Sequence, residues 1–405
     1  MPGLRFNRDF MSLWAAQAVS AMGARVTRTV LPMLALLTIG ASASEVAILS
    51  ALGVAPGLLV SLLAGGTVDR SPKRRLMIAT DLGRAALLLT VPLAALIGGL
   101  TMTQLYIVAG LVGAGTILFD IADNTFLPAI VGRDRLVEAN ARLEATEAVA
   151  EGAGPWLGGV LVGAIGAPMA ILVDALSYLW SALFLRRISV AEKHVARTTE
   201  DGTGLLSDAV AGVRTALADP VVGRFLIAAS IHAVGGGVFM ALYMVVVIDT
   251  LSLGPGLVGF IIGAGGVGSA LGALVVGPVR SWLGTSRALV LTFGIGMAFD
   301  FAVPFSLVFP DHAVLLLLLA QLVGDGFMTA FIVLALSVRQ ARVPEARLGR
   351  VNATFELFGG GAVLIGALMA AGVVLVLPVQ SVIWGAALSG PLALLVLLGL
   401  WRRAL

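Results

Sequence analysis

Long apolar stretches separated by short polar clusters dominate the chain. A helix that crosses a bilayer needs about 20 apolar residues, and twelve stretches reach that length. Polar and apolar residues do not alternate in them with the period of two that is typical of barrel strands. Most of the stretches are apolar on nearly every face of a helix. The pattern predicts an all-α membrane protein with twelve transmembrane helices. The stretches cover 10–38, 43–67, 76–98, 103–128, 138–165, 168–186, 221–248, 255–278, 288–309, 312–338, 349–375 and 379–401.

The first stretch has a second interpretation. Arg5 and Arg8 followed by an apolar run that ends near Ala16-Gln17-Ala18 resemble a secretory signal peptide. The apolar run before these small residues is only about seven residues long, at the lower limit for such a signal. We therefore expect an uncleaved helix 1.

Composition narrows the class of protein. Hydrophobic residues make up 59% and charged residues 12% of the 405 residues, whereas soluble domains carry about 25% charged residues. A soluble globular enzyme is therefore excluded. The chain has no cysteine and three scattered histidines (His194, His232 and His312), so we expect no disulfide, no metal site and no cofactor.

The basic residues predict the topology. Of 26 lysines and arginines, 23 lie in the termini, in alternate loops and at the helix ends next to them, and the other three (Arg25, Arg28 and Arg84) lie within helices 1 and 3. By the positive-inside rule, these loops and both termini are cytoplasmic. We therefore expect a protein of the cytoplasmic (inner or plasma) membrane. The pI near 9.8 is then explained by the basic cytoplasmic loops, and no nucleic-acid partner is expected.

Two halves follow from the one long polar stretch, residues 188–219. It separates residues 1–187 from 220–405, with six predicted helices each, and we expect two bundles joined by a cytoplasmic linker. The two halves also share a sequence repeat, because residues 347–356 resemble residues 135–144 at a constant offset of 212 positions. Paired six-helix bundles are a transporter architecture with a site near the midplane.

A motif between helices 2 and 3 carries a family resemblance. Residues 65–75 read GGTVDRSPKRR, which resembles the loop 2–3 signature G-x-x-x-D-R-x-G-R-K of the major facilitator superfamily. Pro72 and Lys73 depart from that signature. The resemblance implies that Asp69, Arg70, Lys73 and Arg74 latch the two bundles as gating residues. The alternative is a basic loop that only anchors the helices.

A second motif lies within helix 5. Residues 154–159 read GPWLGG and resemble the end of the superfamily's antiporter motif, which is typical of exporters, although Ala150 replaces its preceding glycine. Gly154, Pro155, Gly158 and Gly159 would create a kink and allow close packing. Packing of small residues without directional meaning is the alternative.

Three more stretches are similar to the branch that contains the enterobactin exporter and macrolide efflux proteins. They are residues 123–140 (DN and LP, then LVEAN), 174–178 (DALSY) and 212–220 (GVR, then DP). Many proton-coupled drug antiporters carry an arginine where this chain has Ala109. Coupling through that arginine is therefore not carried over.

No nucleotide motif supplies energy. Residues 263–268 match G-x-G-x-x-G, but they lie within a predicted helix with no preceding strand, which favours packing. The chain contains no G-x-x-x-x-G-K-[ST], so we expect no ATP hydrolysis in this chain. The energy must come from an ion gradient, a substrate gradient or a partner.

Charges inside the membrane are costly and mark candidate sites. Arg25, Arg28, Glu151 and Asp325 fall near mid-membrane, and they form our hypothesis for substrate and proton exchange; fixed structural ion pairs are the alternative. His232 joins the proton pathway, unless it is an ordinary packed histidine.

A second layer of charges lies nearer the cytoplasm. Asp120 and Asp123 on helix 4 belong to the candidate proton pathway, whereas Glu144, Glu147 and Glu356 are expected to gate. Favourable placement near helix N-termini explains Glu144 and Glu356 equally well. Asp81, Asp174 and Asp300 are expected to have structural partners.

These features together predict a secondary transporter, not an enzyme. We expect a monomer that exports a drug, macrolide or siderophore-like small molecule by proton antiport with alternating access. An uptake or lipid-handling facilitator is the alternative within the same fold, and a non-transporting scaffold or sensor is the alternative outside it.

Overall fold

The computed structural model describes residues 4–63, 71–190 and 205–401. Within these ranges, twelve helices are long and apolar enough to cross a membrane, and no strand is present. The predicted all-α architecture with twelve transmembrane helices is confirmed. Helices 1 to 12 are, in order, Arg8–Ile39, Ala43–Leu63, Lys73–Leu96, Met102–Val131, Leu136–Ile165, Ala167–Leu185, Pro220–Thr250, Pro255–Leu283, Thr285–Val308, Pro310–Arg342, Glu345–Val373 and Val379–Leu398.

Several helices extend beyond the apolar stretches that predicted them. Helix 10 continues to Arg342 and helix 11 begins at Glu345, so both include charged turns. Backbone hydrogen bonds hold a helix together in water as well as in lipid, so hydropathy marks the apolar part and not the helix end. The predicted end of helix 2, at residue 67, lies outside the described residues.

Local sequence signals set the helix ends. The Asn7 side chain accepts a hydrogen bond from the Phe10 N–H at 3.1 Å and caps helix 1. Thr101 caps helix 4 through the Gln104 N–H at 3.3 Å. Helices 4 and 5 stop at Gly132 and Gly166, whose φ values of 76° and 82° suit glycine far better than other residues.

Within the described residues, three helices contain a π-helical segment, a feature that the apolar pattern did not predict. The segments are Ala35–Ile39 in helix 1, Val245–Thr250 in helix 7 and Ala320–Gly324 in helix 10. The first two are related by the 212-residue offset to within two positions. Such wide turns are rare and are frequent at functional sites.

The chain divides into two compact units. The first unit comprises Met1–Ser42, Leu52–Thr199 and Leu253–Gly263, and its core includes Phe10, Leu13 and Phe126. The second unit comprises Ala43–Ala51, Glu200–Ser252 and Ala264–Leu405, with Phe225, Phe293 and Phe331 in its core. The predicted domain boundaries at 187 and 220 stay a prediction.

A linker helix, Leu205–Ala218, belongs to the second unit and packs on helix 11. Gly212 makes this approach possible, because a Cβ there would overlap the backbone of Arg350 and the side chain of Thr354. The predicted polar linker therefore contains a helix in its second part, and residues 191–204 lie outside the described ranges.

The internal repeat is visible in the packing of each unit. In the first unit, Gly154 of helix 5 packs directly on Arg25 of helix 1. In the second unit, Gly366 of helix 11 packs directly on Gly237 of helix 7. Gly154 and Gly366 are 212 positions apart, as are Arg25 and Gly237. The offset that relates the two sequence halves thus relates their helix contacts.

Candidate functional site

A cluster of four charged side chains joins helices 1 and 5 in the first unit. The Arg25 guanidinium lies 2.6 Å from Glu151 Oε2 through Nη1 and 3.1 Å from Glu147 Oε2 through Nη2. Arg28 Nη1 lies 3.8 Å from Glu151 Oε1. We call Arg25, Arg28, Glu147 and Glu151 the Arg25 site. The structure therefore brings together three of the four residues predicted at mid-membrane.

Helical spacing places these side chains on facing surfaces. Glu147 and Glu151 are four residues apart and Arg25 and Arg28 three apart, so each pair lies on one face of its helix. Helix 5 begins at Leu136, and at 1.5 Å per residue Glu151 lies about 22 Å along it. A bilayer core is about 30 Å thick, so this charge is far from the start of the span.

The Arg25 site is partly accessible. The side chains are exposed by 28% at Arg25, 49% at Glu151 and 64% at Arg28. A charge exposed to hydrocarbon at this depth is strongly unfavourable. The accessible surfaces of these side chains therefore require water or polar groups around them.

The glycines of the GPWLGG motif bring helix 5 against its neighbours. Gly154 leaves no room for a Cβ beside Arg25, and Gly158 packs on Val26 of helix 1. Gly159 packs on the backbone of Pro255 and Gly259, in the segment of helix 8 that belongs to the first unit. Since Pro155 cannot donate a backbone hydrogen bond, the motif combines close contacts with a weakened turn beside Arg25.

A second charged cluster is buried in the first unit. Arg84 Nη2 lies 2.5 Å from Asp81 Oδ1, and Arg84 Nη1 donates to Thr116 Oγ1 at 3.2 Å. The guanidinium carbon stands 4.1 Å from the ring centre of Tyr178. Nearby, Asp174 Oδ1 accepts a hydrogen bond from Ser177 Oγ at 3.0 Å. We call Asp81, Arg84 and Asp174 the Arg84 cluster.

Helix 4 places two acidic residues beside these groups. Asp120 is exposed and interacts electrostatically with Arg84, Arg25 and Glu147, so it connects the two clusters. Asp123 lies beside Gln17 of helix 1, and its Oδ1 has no hydrogen-bond partner in the part of the chain that the structure describes.

The remaining predicted pathway residues lie in the second unit. Asp325 follows the π-helical segment of helix 10 and packs against Gly265 of helix 8, next to Gln321. Asp300 and Asp325 interact electrostatically. The His232 ring packs edge-on against Phe293 at 5.8 Å between ring centres. Asp325 and His232 thus belong to a different unit from the Arg25 site.

The predicted gating residues are dispersed. Glu356 interacts with Arg339, whose guanidinium carbon lies 4.1 Å from the ring centre of Phe355. Glu144 is exposed on helix 5. At the start of helix 3, Lys73 is the first residue, and Arg74 donates a hydrogen bond to the carbonyl of Ile188. Asp69 and Arg70 lie outside the described residues.

Asp219 ties the start of helix 7 to the end of helix 10. Its Oδ1 accepts hydrogen bonds from the N–H groups of Val221 at 2.8 Å and Val222 at 3.1 Å, and its Oδ2 accepts one from Arg342 Nε at 3.0 Å. Burial alone would raise the pKa of Asp219, but these donors outweigh it and hold the pKa below its usual value. The Asp-Pro pair at 219–220 is the sequence signal for this cap.

Sequence reasoning did not predict the pairing within the Arg84 cluster. The signal was present, because Asp81 and Arg84 are three residues apart on one helix and such residues are neighbours on its surface. The contacts of this cluster with Tyr178 and Thr116 had no comparable signal, since they depend on how helices 3, 4 and 6 pack.

Comparison with known proteins agrees with this architecture. The model of a family described as transmembrane secretion effector matches residues 4–402. The multidrug efflux pump Tap of Mycolicibacterium fortuitum is 29% identical over 296 residues, which cover 70% of this chain and 71% of the pump.

Two solved structures show the same fold at low sequence identity. A bacterial homologue of the iron transporter ferroportin in its inward-facing state gives a TM-score of 0.78 at 17% identity, covering 98% of this chain and 100% of that chain. The nucleoside transporter NupG gives a TM-score of 0.77 at 13% identity, covering 98% of this chain and 99% of that chain. The chain therefore has a transporter fold.

Proposed function

Because the chain belongs to the transmembrane secretion effector family of the major facilitator superfamily, we propose that it exports a hydrophobic or amphiphilic small molecule in exchange for protons. It is a multi-pass membrane transporter and not an enzyme. The direction, the substrate class and the proton coupling are the proposal. We place the protein in the cytoplasmic membrane with both termini inside, from the distribution of basic residues.

The observation that carries the proposal is the absence of the Arg25 site from the second repeat. Arg25 and Glu151 form an ion pair between helices 1 and 5. The equivalent positions 212 residues later are Gly237 and Val363, and these pack directly in the contact of helices 7 and 11. The same type of helix contact therefore forms without charges, which favours a functional role for the charges over a purely structural ion pair.

Geometry makes Glu151 the best candidate for the proton carrier. Its carboxylate contacts both Arg25 and Arg28 and is half exposed, so water can reach it. A proton on Glu151 would break its ion pairs with the two guanidinium groups, and loss of the proton would restore them. A proton and a guanidinium group that compete for one carboxylate, with a substrate that binds better to one of the two states, are a simple basis for exchange.

The gradient supplies enough energy for this cycle. One proton moved across 100 mV contributes about 2.3 kcal/mol. Glu147 contacts Arg25 at 3.1 Å and would hold Arg25 in place while Glu151 is protonated. Asp325 on helix 10 stays a second candidate for proton binding.

Two observations support the proposed substrate class. The relative named above is a multidrug efflux pump, and the GPWLGG motif resembles that of exporters. Both support export of an amphiphilic compound, for which ethidium and erythromycin are suitable probes.

Everted membrane vesicles test the proposal. When an inside-acid gradient is imposed, we expect vesicles with the wild-type chain to accumulate ethidium or erythromycin and to lose luminal protons. Glu151→Gln should abolish the proton-driven component, whereas Glu138→Gln, a matched change in an exposed carboxylate of the same helix, should not. If accumulation of ethidium or erythromycin by wild-type vesicles does not depend on the proton gradient, proton antiport is refuted.

A further inference from the structure

The Arg84 cluster has more negative than positive groups and is sealed from solvent. Asp81 and Asp174 are 0% exposed and Arg84 is 4% exposed. If both carboxylates were ionised, two negative charges would share one guanidinium inside a transmembrane bundle. An uncompensated buried charge is strongly unfavourable in this environment.

The two carboxylates are not equivalent. Asp81 makes the direct ion pair with Arg84 at 2.5 Å. Asp174 is approached by hydroxyl groups instead: Ser177 Oγ donates to it at 3.0 Å, and the Thr27 side chain lies beside it. Arg84 is therefore compensated by Asp81, and Asp174 is the carboxyl that has no cation in direct contact among the described residues.

Several buried polar atoms of the cluster also have no hydrogen-bond partner within the described ranges. They include Asp81 Oδ2, Asp174 Oδ2, Arg84 Nε and Ser181 Oγ. Buried polar groups are nearly always satisfied, and exceptions usually mark an unseen partner. A proton on Asp174 would make this carboxyl neutral and would turn it into a hydrogen-bond donor, so no uncompensated negative charge would remain in the cluster.

The second repeat shows that the bundle does not need this cluster. Gly23 packs on Asp174 and Ser177 in the first unit, and Gly235 packs on Ala386 and Ser389 in the second. Each residue of the second contact lies 212 positions after its counterpart in the first. Ala386 therefore corresponds to Asp174, and Ser389 corresponds to Ser177. The same offset places Phe293 and Gly296 where the first repeat has Asp81 and Arg84.

We propose that the Arg84 cluster is a proton-binding site in which Asp174 holds the proton at neutral pH. The groups that face it are Thr27 from helix 1, Asp81 and Arg84 from helix 3, and Tyr178 on its own helix. Asp120 of helix 4 interacts with Arg84 and with the Arg25 site, so it provides a neighbouring charge for proton release. Only this release step rests on the proposed function; the bound proton does not.

Infrared spectroscopy of the full-length chain in lipid nanodiscs tests the site. At neutral pH, we expect the wild-type spectrum to contain a protonated carboxyl C=O band that disappears in Asp174→Asn. This change replaces a neutral acid by a neutral amide of the same shape, so the fold should persist. Identical carboxyl bands in the two proteins would overturn the proposal.

Charge compensation gives a second test that keeps Asp174 in place. In Asp81→Asn, Arg84 loses its partner, and Asp174 must ionise to replace it. The same band should therefore disappear although Asp174 is still present. A band that persists in Asp81→Asn would show that the proton is not set by the charge of Arg84, and would contradict the proposal.

A third variant remains informative if both carboxyl variants fail to fold. Ser177→Ala removes the hydrogen bond to Asp174 Oδ1 and should shift the carboxyl band to higher frequency. The matched control is Ser306→Ala, which removes a buried hydroxyl that donates to the Val303 carbonyl at 2.6 Å, and it should leave the band unchanged. An unshifted band in Ser177→Ala would refute the assignment.

The spectroscopic and transport tests fail independently. The infrared experiment uses no substrate and no gradient, so a missing band refutes the proton site while proton-driven ethidium accumulation still supports antiport. If the carboxyl band behaves as expected but ethidium accumulation does not depend on the proton gradient, proton antiport is refuted and the proton site is still supported.

Discussion

The contact between helices 1 and 5 and the contact between helices 7 and 11 are repeats of one design, but only the first is charged. Gly154 and Gly366 bring the helices close in both contacts. Where the first contact has Arg25 paired with Glu151, the second has Gly237 packed on the backbone of Val363. The comparison separates what the fold needs, which is small residues at the contact, from what transport is proposed to need, which is charge.

The same contrast holds for the two charged clusters of the first unit. The Arg25 site is accessible, with side chains 28–64% exposed, whereas the Arg84 cluster is almost completely buried. Exposed ion pairs contribute little to stability, but breaking a buried pair leaves an uncompensated charge. Stability and transport should therefore respond to different arginines.

The largest effect is expected at Arg84. Arg84→Met leaves Asp81 buried without its cation, so the free energy of unfolding should fall by about 3–5 kcal/mol, measured by detergent-exchange unfolding titration. Asp81→Asn added to this variant should recover most of the loss, because no unpaired charge then remains. A double variant as unstable as Arg84→Met would contradict this account of the cluster.

The glycines at the two contacts come next. Gly366→Ala and Gly154→Ala each place a methyl group where a backbone or side chain already lies, and each should lower the free energy of unfolding by about 1–3 kcal/mol. Gly372→Ala and Gly163→Ala are matched controls on the same helices, with open space at the new methyl group. The controls should be neutral or slightly stabilising; equal losses in all four variants would remove the packing argument.

A smaller change in stability but a clear loss of transport is expected at Arg25. Arg25→Met should reduce proton-driven ethidium accumulation at least about tenfold, equivalent to about 1.4 kcal/mol, because Glu151 loses its competing cation. The free energy of unfolding should change by less than about 1 kcal/mol, since the pair is exposed.

Arg142→Met is the control for Arg25→Met. Arg142 pairs with Glu138 at 3.1 Å on the exposed surface of helix 5, outside the Arg25 site. Its transport should match the wild type, and a comparable loss in both variants would show that charge on this surface matters in general and not at one site.

The smallest effect is expected at Asp219, outside the membrane spans. Its pKa is lower in the folded protein than usual, so its ionised form stabilises the fold above about pH 4, and this contribution is lost as the pH falls through the folded pKa. Asp219→Asn should remove this part of the acid dependence and cost up to about 1 kcal/mol. An unchanged pH profile of thermal unfolding would contradict the cap and its pairing with Arg342.

Hydropathy was sufficient for the twelve helices because a span of about 20 apolar residues has few alternatives in a lipid bilayer. Hydropathy could not predict the π-helical segments, because a wider turn such as Ala35–Ile39 contains the same kinds of apolar residues as an α-helical turn. Their positions along the predicted helices placed Arg25 and Glu151 at a similar depth in the membrane. Whether these two residues, 126 positions apart in sequence, form a pair depends on how each helix is rotated about its axis. Asp325 lies on helix 10, in the half of the chain predicted to form the second bundle, so its separation from the Arg25 site could be predicted from the sequence.

The most direct test of the central claim measures protons and substrate together in proteoliposomes. With the wild-type chain, addition of ethidium should move protons in the opposite direction, and Glu151→Gln should abolish this proton movement while ethidium binding persists. Undiminished substrate-driven proton movement in Glu151→Gln would contradict the assignment of the proton to the Arg25 site.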